Sequence, residues 1–245
     1  MITIHAFFKK ILKPILVILT ILLVLDIIIV VTFEYTDRDT QNKIVNGSIY
    51  SNNTIFIKDT INNDTINDIN CTISNLPSVV QNCINKNKWY FVIANEVPSG
   101  INTNTLIHKN ANTSLAGITT RINRTIFINA SQSGSDIHNT IIHESAHVVD
   151  CEYGYVSNSR KFYSLYKQYA DTLSNDQYYQ AHQSEFFAFA FSEYCLHPDE
   201  LKNKAPEIYE FFFILFKKDV TQDNIFDKLI TRPRYFIRLL FKNII

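Results

Sequence analysis

The sequence predicts an α+β fold, with a small β-sheet followed by helices. Three observations carry the expectation. Short β-like runs at residues 89–94, 115–120 and 125–130 come first, a helical pattern takes over after residue 135, and an apolar stretch of 20 residues stands apart at the N-terminus. The 245 residues are 46% apolar and include 18 Phe and 13 Tyr, enough for a core and too aromatic for a disordered chain. With 23 basic against 23 acidic side chains there is no bulk charge to hold a nucleic acid, and no such partner is expected. Only 5 Gly are present, which weakens any case for a Gly-rich phosphate loop.

Of residues 15–31, only Thr20 and Asp26 are not apolar. Extended to residues 14–33, the stretch spans about 30 Å as a helix, the thickness of a bilayer core. Its 15 apolar residues favour insertion by roughly 4.5–9 kcal/mol in sum, against about 2.5–3.5 for Asp26. Lys9, Lys10 and Lys13 precede the segment and Glu34, Asp37 and Asp39 follow it. The expectation is therefore a cytoplasmic tail (1–13), a transmembrane signal anchor (14–33) and the remainder outside the cytoplasm, as a single-pass membrane protein. Secretion after signal cleavage is the alternative, disfavoured by the length of the apolar run and the lack of a small-x-small site after Val31.

Residues 34–88 read as an Asn-rich extracytoplasmic segment of loops and short elements. Nineteen of the 25 Asn fall between Asn42 and Asn129, and Asn favours turns over either regular structure. Residues 89–245 read as the domain that carries the chemistry. Four cysteines suit an oxidising compartment, and local spacing favours Cys71 with Cys83 and Cys151 with Cys195.

Trp89–Ala94 is aromatic and β-branched, as a buried strand requires, and the runs 115–120 and 125–130 suggest a hairpin or strand pair. Ser135 or Asp136 can cap a helix to about Asp150, with Ile137, Ile141, Ser145 and Val148 on one stripe and Gly154 past its end. Further helices are expected over 159–173, over 181–196 (stopped before Pro198) and over 206–218. An amphipathic helix packed on its own domain is expected at 226–245.

The helix over 136–150 carries His-Glu-Ser-Ala-His at 143–147. Spacing of i, i+4 puts His143 and His147 on one face, so both can reach one Zn²⁺. Glu144 is angled away from that pair, where a general base for a metal-bound water belongs. A catalytic zinc needs a third protein ligand. A third His in the same motif is excluded, because Asp150 and Tyr153 stand where Gly and His would be needed. Glu185 is the best candidate: it opens an aromatic helix, Glu-Phe-Phe-Ala-Phe-Ala-Phe, in which a lone buried acid is costly unless paired or metal-bound. His182 competes from one turn earlier, and Glu193 and His197 are weaker for lying farther along.

These residues carry a resemblance. H-E-S-A-H-V-V-D, then S-E-F-F-A-F-A-F, then K-A-P-E-I-Y-E-F-F resemble the catalytic domain of the anthrax toxin lethal factor-like zinc metallopeptidases, to which the secreted Pro-Pro endopeptidases are related. The likeness runs over about residues 89–218. It implies a zincin-like metallopeptidase domain with one zinc per chain held by His143, His147 and Glu185. Glu144 would activate the water, and Tyr178, seven residues before the ligand Glu, would face the reacting carbonyl, with Tyr179 beside it as the second choice. The implied activity is endopeptidase hydrolysis of peptide bonds through a metal-activated water, with a protein or peptide substrate extended along an edge strand, 115–120 or 125–130. Two positions depart from the family pattern. Ala146 replaces a Gly, and Phe189 replaces a second acid one turn after the ligand, which leaves Asp150 as the residue expected to orient a ligand histidine. The alternative is a non-catalytic zinc-binding module on the same fold. A metal-independent surface protein stapled through Cys151 and Cys195 is a third reading.

Overall fold

The computed structural model describes residues 49–52, 54–96, 116–120 and 124–217, with five further helical positions, Val17, Thr20, Ile21, Val24 and Leu25. The chain forms two units, residues 1–43 with 225–245, and residues 44–224. In the first, Val17, Ile21, Val24 and Leu25 are exposed. The rest of the expected anchor and the expected tail helix at 226–245 lie outside the described residues. Among the described residues no helix is long and apolar enough to cross a membrane.

Among the described residues five strands build the sheet of the second unit: β1 (Ile49–Asn52), β2 (Ile55–Ile57), β3 (Tyr90–Ala94), β4 (Gly117–Thr120) and β5 (Thr125–Asn129). Their order is β1-β2-β3-β5-β4. β1 and β4 run antiparallel to their neighbours, whereas β2, β3 and β5 are mutually parallel. The three strands expected from the sequence are therefore β3, β4 and β5, with β4 and β5 paired as proposed.

The Asn-rich segment is the main correction. The parallel pairing of β2 with β3 requires a crossover, and α1 (Asn63–Ser74) and α2 (Ser78–Lys86) supply it. Asn favours turns, but here it takes the cap and the outer face. Asn62 caps α1 through its side chain, Asn63 and Asn67 are exposed, and Ile69, Thr72 and Ile73 point inward. From α2, Val80, Cys83 and Ile84 join the same core as Phe91, Ile126 and Ile141. Described residues from both sides of residue 89 thus contribute to one core.

Helices α3 (Gly134–Glu152), α4 (Arg160–Leu173), α5 (Gln177–Ala181), α6 (Gln183–Leu196), α7 (Pro198–Lys204) and α8 (Pro206–Lys217) follow. The expected stripe on α3 is right: Ile137, Ile141, Ser145 and Val148 are all buried. Its start is two to three residues early, with Ser133 at the N-cap and its hydroxyl donating to Asp136. The expected helix over 181–196 is broken at His182, whose extended backbone (φ −127°, ψ 105°) ends α5 and opens α6. Pro198 does stop α6, and it also starts α7, because a proline at the first helical position loses no hydrogen bond. α6 is apolar almost all round. Phe186, Phe187 and Phe191 are fully buried against Phe162 of α4 and Phe211 and Phe212 of α8.

No disulfide joins the four cysteines in this structure. Cys71 lies exposed on α1 while Cys83 faces the core at 1% exposure, so the two side chains occupy opposite environments. Burial pushes the Cys83 thiol up to about 12, with the Glu152 charge adding to it. Burial likewise raises Cys195 to about 12, and the Cys151 thiol donates to the Tyr155 hydroxyl.

Candidate metal centre

Helix α3 passes through the core, and its His143–His147 face is open toward α6. The two imidazoles stand one turn apart with ring centroids 5.2 Å apart and nearly perpendicular planes. Glu185, in the first turn of α6, points between them: its Oε2 lies 3.2 Å from His143 Nε2 and 3.5 Å from His147 Nε2. Among the described residues this is the group of donors that can hold a metal, with all ligand atoms within 4.8 Å of one another. Glu185 is thus the third donor that the sequence favoured. His182 is placed elsewhere, with Nδ1 at 2.9 Å from the Tyr178 carbonyl oxygen, and the exposed His197 closes the far end of α6.

The donor set and its spacing fit zinc. Two imidazoles and a carboxylate are a known catalytic zinc set, which leaves one position open. A tetrahedron with bonds of about 2.1 Å has edges of about 3.4 Å, between the two nitrogen–oxygen distances observed here. Direct charge-assisted N–H···O bonds are shorter, at about 2.7–2.9 Å. Burial opposes ionisation of Glu185, but the His147 charge, hydrogen bonds from His143 and His147, and the His143 charge outweigh it. Together they hold the carboxyl far below its usual range.

Burial of aromatic surface fixes where Glu185 points. Each fully buried Phe of α6 contributes roughly 1.5–3 kcal/mol, so the helix cannot turn Phe186 or Phe187 outward to release the acid. A second tie comes from the end of α3. Gly154 (φ 79°) and Tyr155 (φ 59°) reverse the chain into a 3₁₀ turn at Val156–Asn158. Asp150, 1% exposed, accepts from the Ser157 backbone N at 2.7 Å and from Ser157 Oγ at 2.9 Å. The Ser157 carbonyl in turn accepts from the side chain of Gln183, two residues before Glu185. The contacts seen for Asp150 thus anchor this turn, whereas the sequence suggested that it orients a histidine. Asp150→Ala is expected to destabilise the fold by about 1–3 kcal/mol for each buried donor left unmet, measured by urea unfolding. An unchanged midpoint would contradict that structural role.

The remaining site residues surround the cluster. Tyr178, on α5, is near enough to Glu185 for the carboxylate to act on its phenol. Burial pushes its phenol well above the usual range, and the Glu185 carboxylate adds to the effect. Tyr179 packs its ring 6.0 Å from that of His143 and stacks on Phe189 at 5.0 Å. Its hydroxyl is also raised, first by burial and then by the charges of Asp176, Glu185 and Glu144. Both tyrosines therefore feel the Glu185 charge, and Phe189 serves as a stacking surface for Tyr179. Ala146 is fully buried without strain in the helix. Glu144 is 7% exposed and turns toward β4, where Thr119 Oγ1 donates to its Oε2 at 2.7 Å. Gly117 and Thr119 were not singled out from the sequence. The available signal was the glycine itself, since Gly within a strand marks a close approach.

This fold and donor set together define a metallopeptidase-type domain. A family model described as anthrax toxin lethal factor, N- and C-terminal domain, matches residues 25–215, and the chain belongs to that family. Thirty-nine chains of solved structures match it. One is the Pro-Pro endopeptidase PPEP-2 from Paenibacillus alvei, with 18% sequence identity and a TM-score of 0.54, covering 66% of this chain and 96% of that one. At this identity the likeness is one of fold. No curated protein matches the chain.

Proposed function

We propose that the chain is a zinc-dependent endopeptidase, tethered through residues 14–33 with its catalytic domain outside the cytoplasm. The observation that carries the enzymatic reading is the carboxylate of Glu185 meeting both imidazoles at 3.2 and 3.5 Å. Family membership supports it, and the asymmetry of Lys9, Lys10 and Lys13 against Glu34, Asp37 and Asp39 supports the orientation. His143, His147 and Glu185 would hold the ion. When bound, zinc supplies Lewis-acid polarisation of a peptide carbonyl and a nucleophilic water at neutral pH.

This chain's own residues then divide the work. Glu144 accepts the proton of the attacking water and passes it to the leaving amine nitrogen. The Tyr178 phenol, kept protonated by burial and by its carboxylate neighbour, donates a hydrogen bond to the oxyanion as charge develops there. Among the described strands β4 is the outer neighbour of β5, so the extended substrate is assigned to β4 and not to β5. Main-chain pairing there gives affinity without dictating sequence. A non-catalytic zinc module would need neither Glu144 nor Tyr178, and their presence in this sequence favours the catalytic reading.

The test is peptide-library cleavage by the purified chain. Cleavage should stop on chelation and return with about one equivalent of zinc. Cleavage that survives complete metal removal would refute the proposal.

A further inference from the structure

We infer that Thr119 is a positioning residue for the reaction: from the outer strand it holds one oxygen of the Glu144 carboxylate, so that the other is presented to the proton. The inference rests on Glu144 acting as the base. Thr119 Oγ1 is 2.7 Å from Glu144 Oε2 and 3.0 Å from the Glu144 carbonyl oxygen, so one hydroxyl grips both ends of the residue. Thr119 pairs with Ile126 of β5, which fixes its backbone, and its β-branch leaves few rotamers for the hydroxyl. A free Glu side chain loses substantial rotamer freedom on being fixed, and the contact makes that loss part of folding instead of part of each turnover.

Gly117, two residues earlier on the same face, makes the approach possible. A Cβ there would sit 3.0 Å from Glu144 Cγ and 2.6 Å from the Thr140 methyl. The strand expected to carry substrate is therefore also the strand that aims the base. From outside α3, Thr119 donates directly to the Glu144 carboxylate.

The experiment compares Thr119→Val, which keeps the shape and removes the hydroxyl, with Thr119→Ser, which keeps the hydroxyl. For one peptide substrate, Thr119→Val is expected to lower kcat about 10–100-fold, the usual effect of removing a supporting partner, with KM within about twofold and one zinc retained. Thr119→Ser should restore most of kcat. Urea unfolding of the metal-free forms provides a readout independent of activity. The effect of Thr119→Val on the midpoint should shrink in a Glu144→Ala background, because the carboxylate contact is already gone and only the one to the backbone carbonyl remains.

Equal losses in the Val and Ser variants would overturn the inference, as would a normal kcat for Thr119→Val or a change confined to KM. Additive unfolding effects would do the same. If Thr119→Val is normal while Glu144→Ala is inactive, only this inference fails. If Glu144→Ala is itself fully active, the base assignment fails first.

Discussion

Glu144→Ala is expected to lower kcat by about 10²–10⁴-fold while the protein keeps its zinc and its fold. The separation of the two effects follows from geometry. Glu144 is next to His143 in sequence, yet it is outside the donor cluster and turned toward β4. Removing its carboxylate therefore takes away a proton carrier and leaves three metal donors in place. The fold should tolerate the change, because Thr119 Oγ1 retains an acceptor in the residue 144 carbonyl at 3.0 Å. Steady-state kinetics together with metal content measure both halves. A variant that still turns over at the wild-type rate would remove Glu144 from the mechanism.

Glu185→Ala is expected to fail differently, by losing the metal. Two imidazoles on one helix turn remain, but the anionic donor from α6 is gone. The loss of zinc affinity should exceed the roughly 10–100-fold typical of removing a supporting partner. The helix itself should stay in place, since Phe186, Phe187 and Phe191 bury its body independently of the acid. Tyr178 also loses its carboxylate neighbour, so activity should not return fully even at high zinc.

Much of this site was legible in the sequence because its signals are local. The i, i+4 histidines require only a helix, and the stripe through Ile137, Ile141, Ser145 and Val148 marks one. Glu185 was legible for a different reason: an acid at the head of a run of phenylalanines has no low-energy position unless something binds it. The helices α1 and α2 were hidden, because Asn propensity argued for loops while a non-local demand, the crossover between β2 and β3, imposed helices. The hydrogen bonds of Asp150 to Ser157 and of Thr119 to Glu144 were hidden for the same reason. Asp150 is bonded to a serine seven residues ahead, and Thr119 to a helix 25 residues away. An even cysteine count says nothing about which faces the side chains occupy, and Cys83 belongs to the core.

The zinc-edge X-ray absorption spectrum of the zinc-loaded chain, recorded beside that of Glu185→Ala, tests the metal centre most directly. The expected wild-type spectrum shows one tightly bound zinc with two imidazole nitrogens and a carboxylate oxygen at about 2.0–2.2 Å, and the variant holds no stoichiometric zinc. A wild-type chain that binds no zinc, or two chains with the same zinc coordination, would contradict the assignment of His143, His147 and Glu185 to one ion.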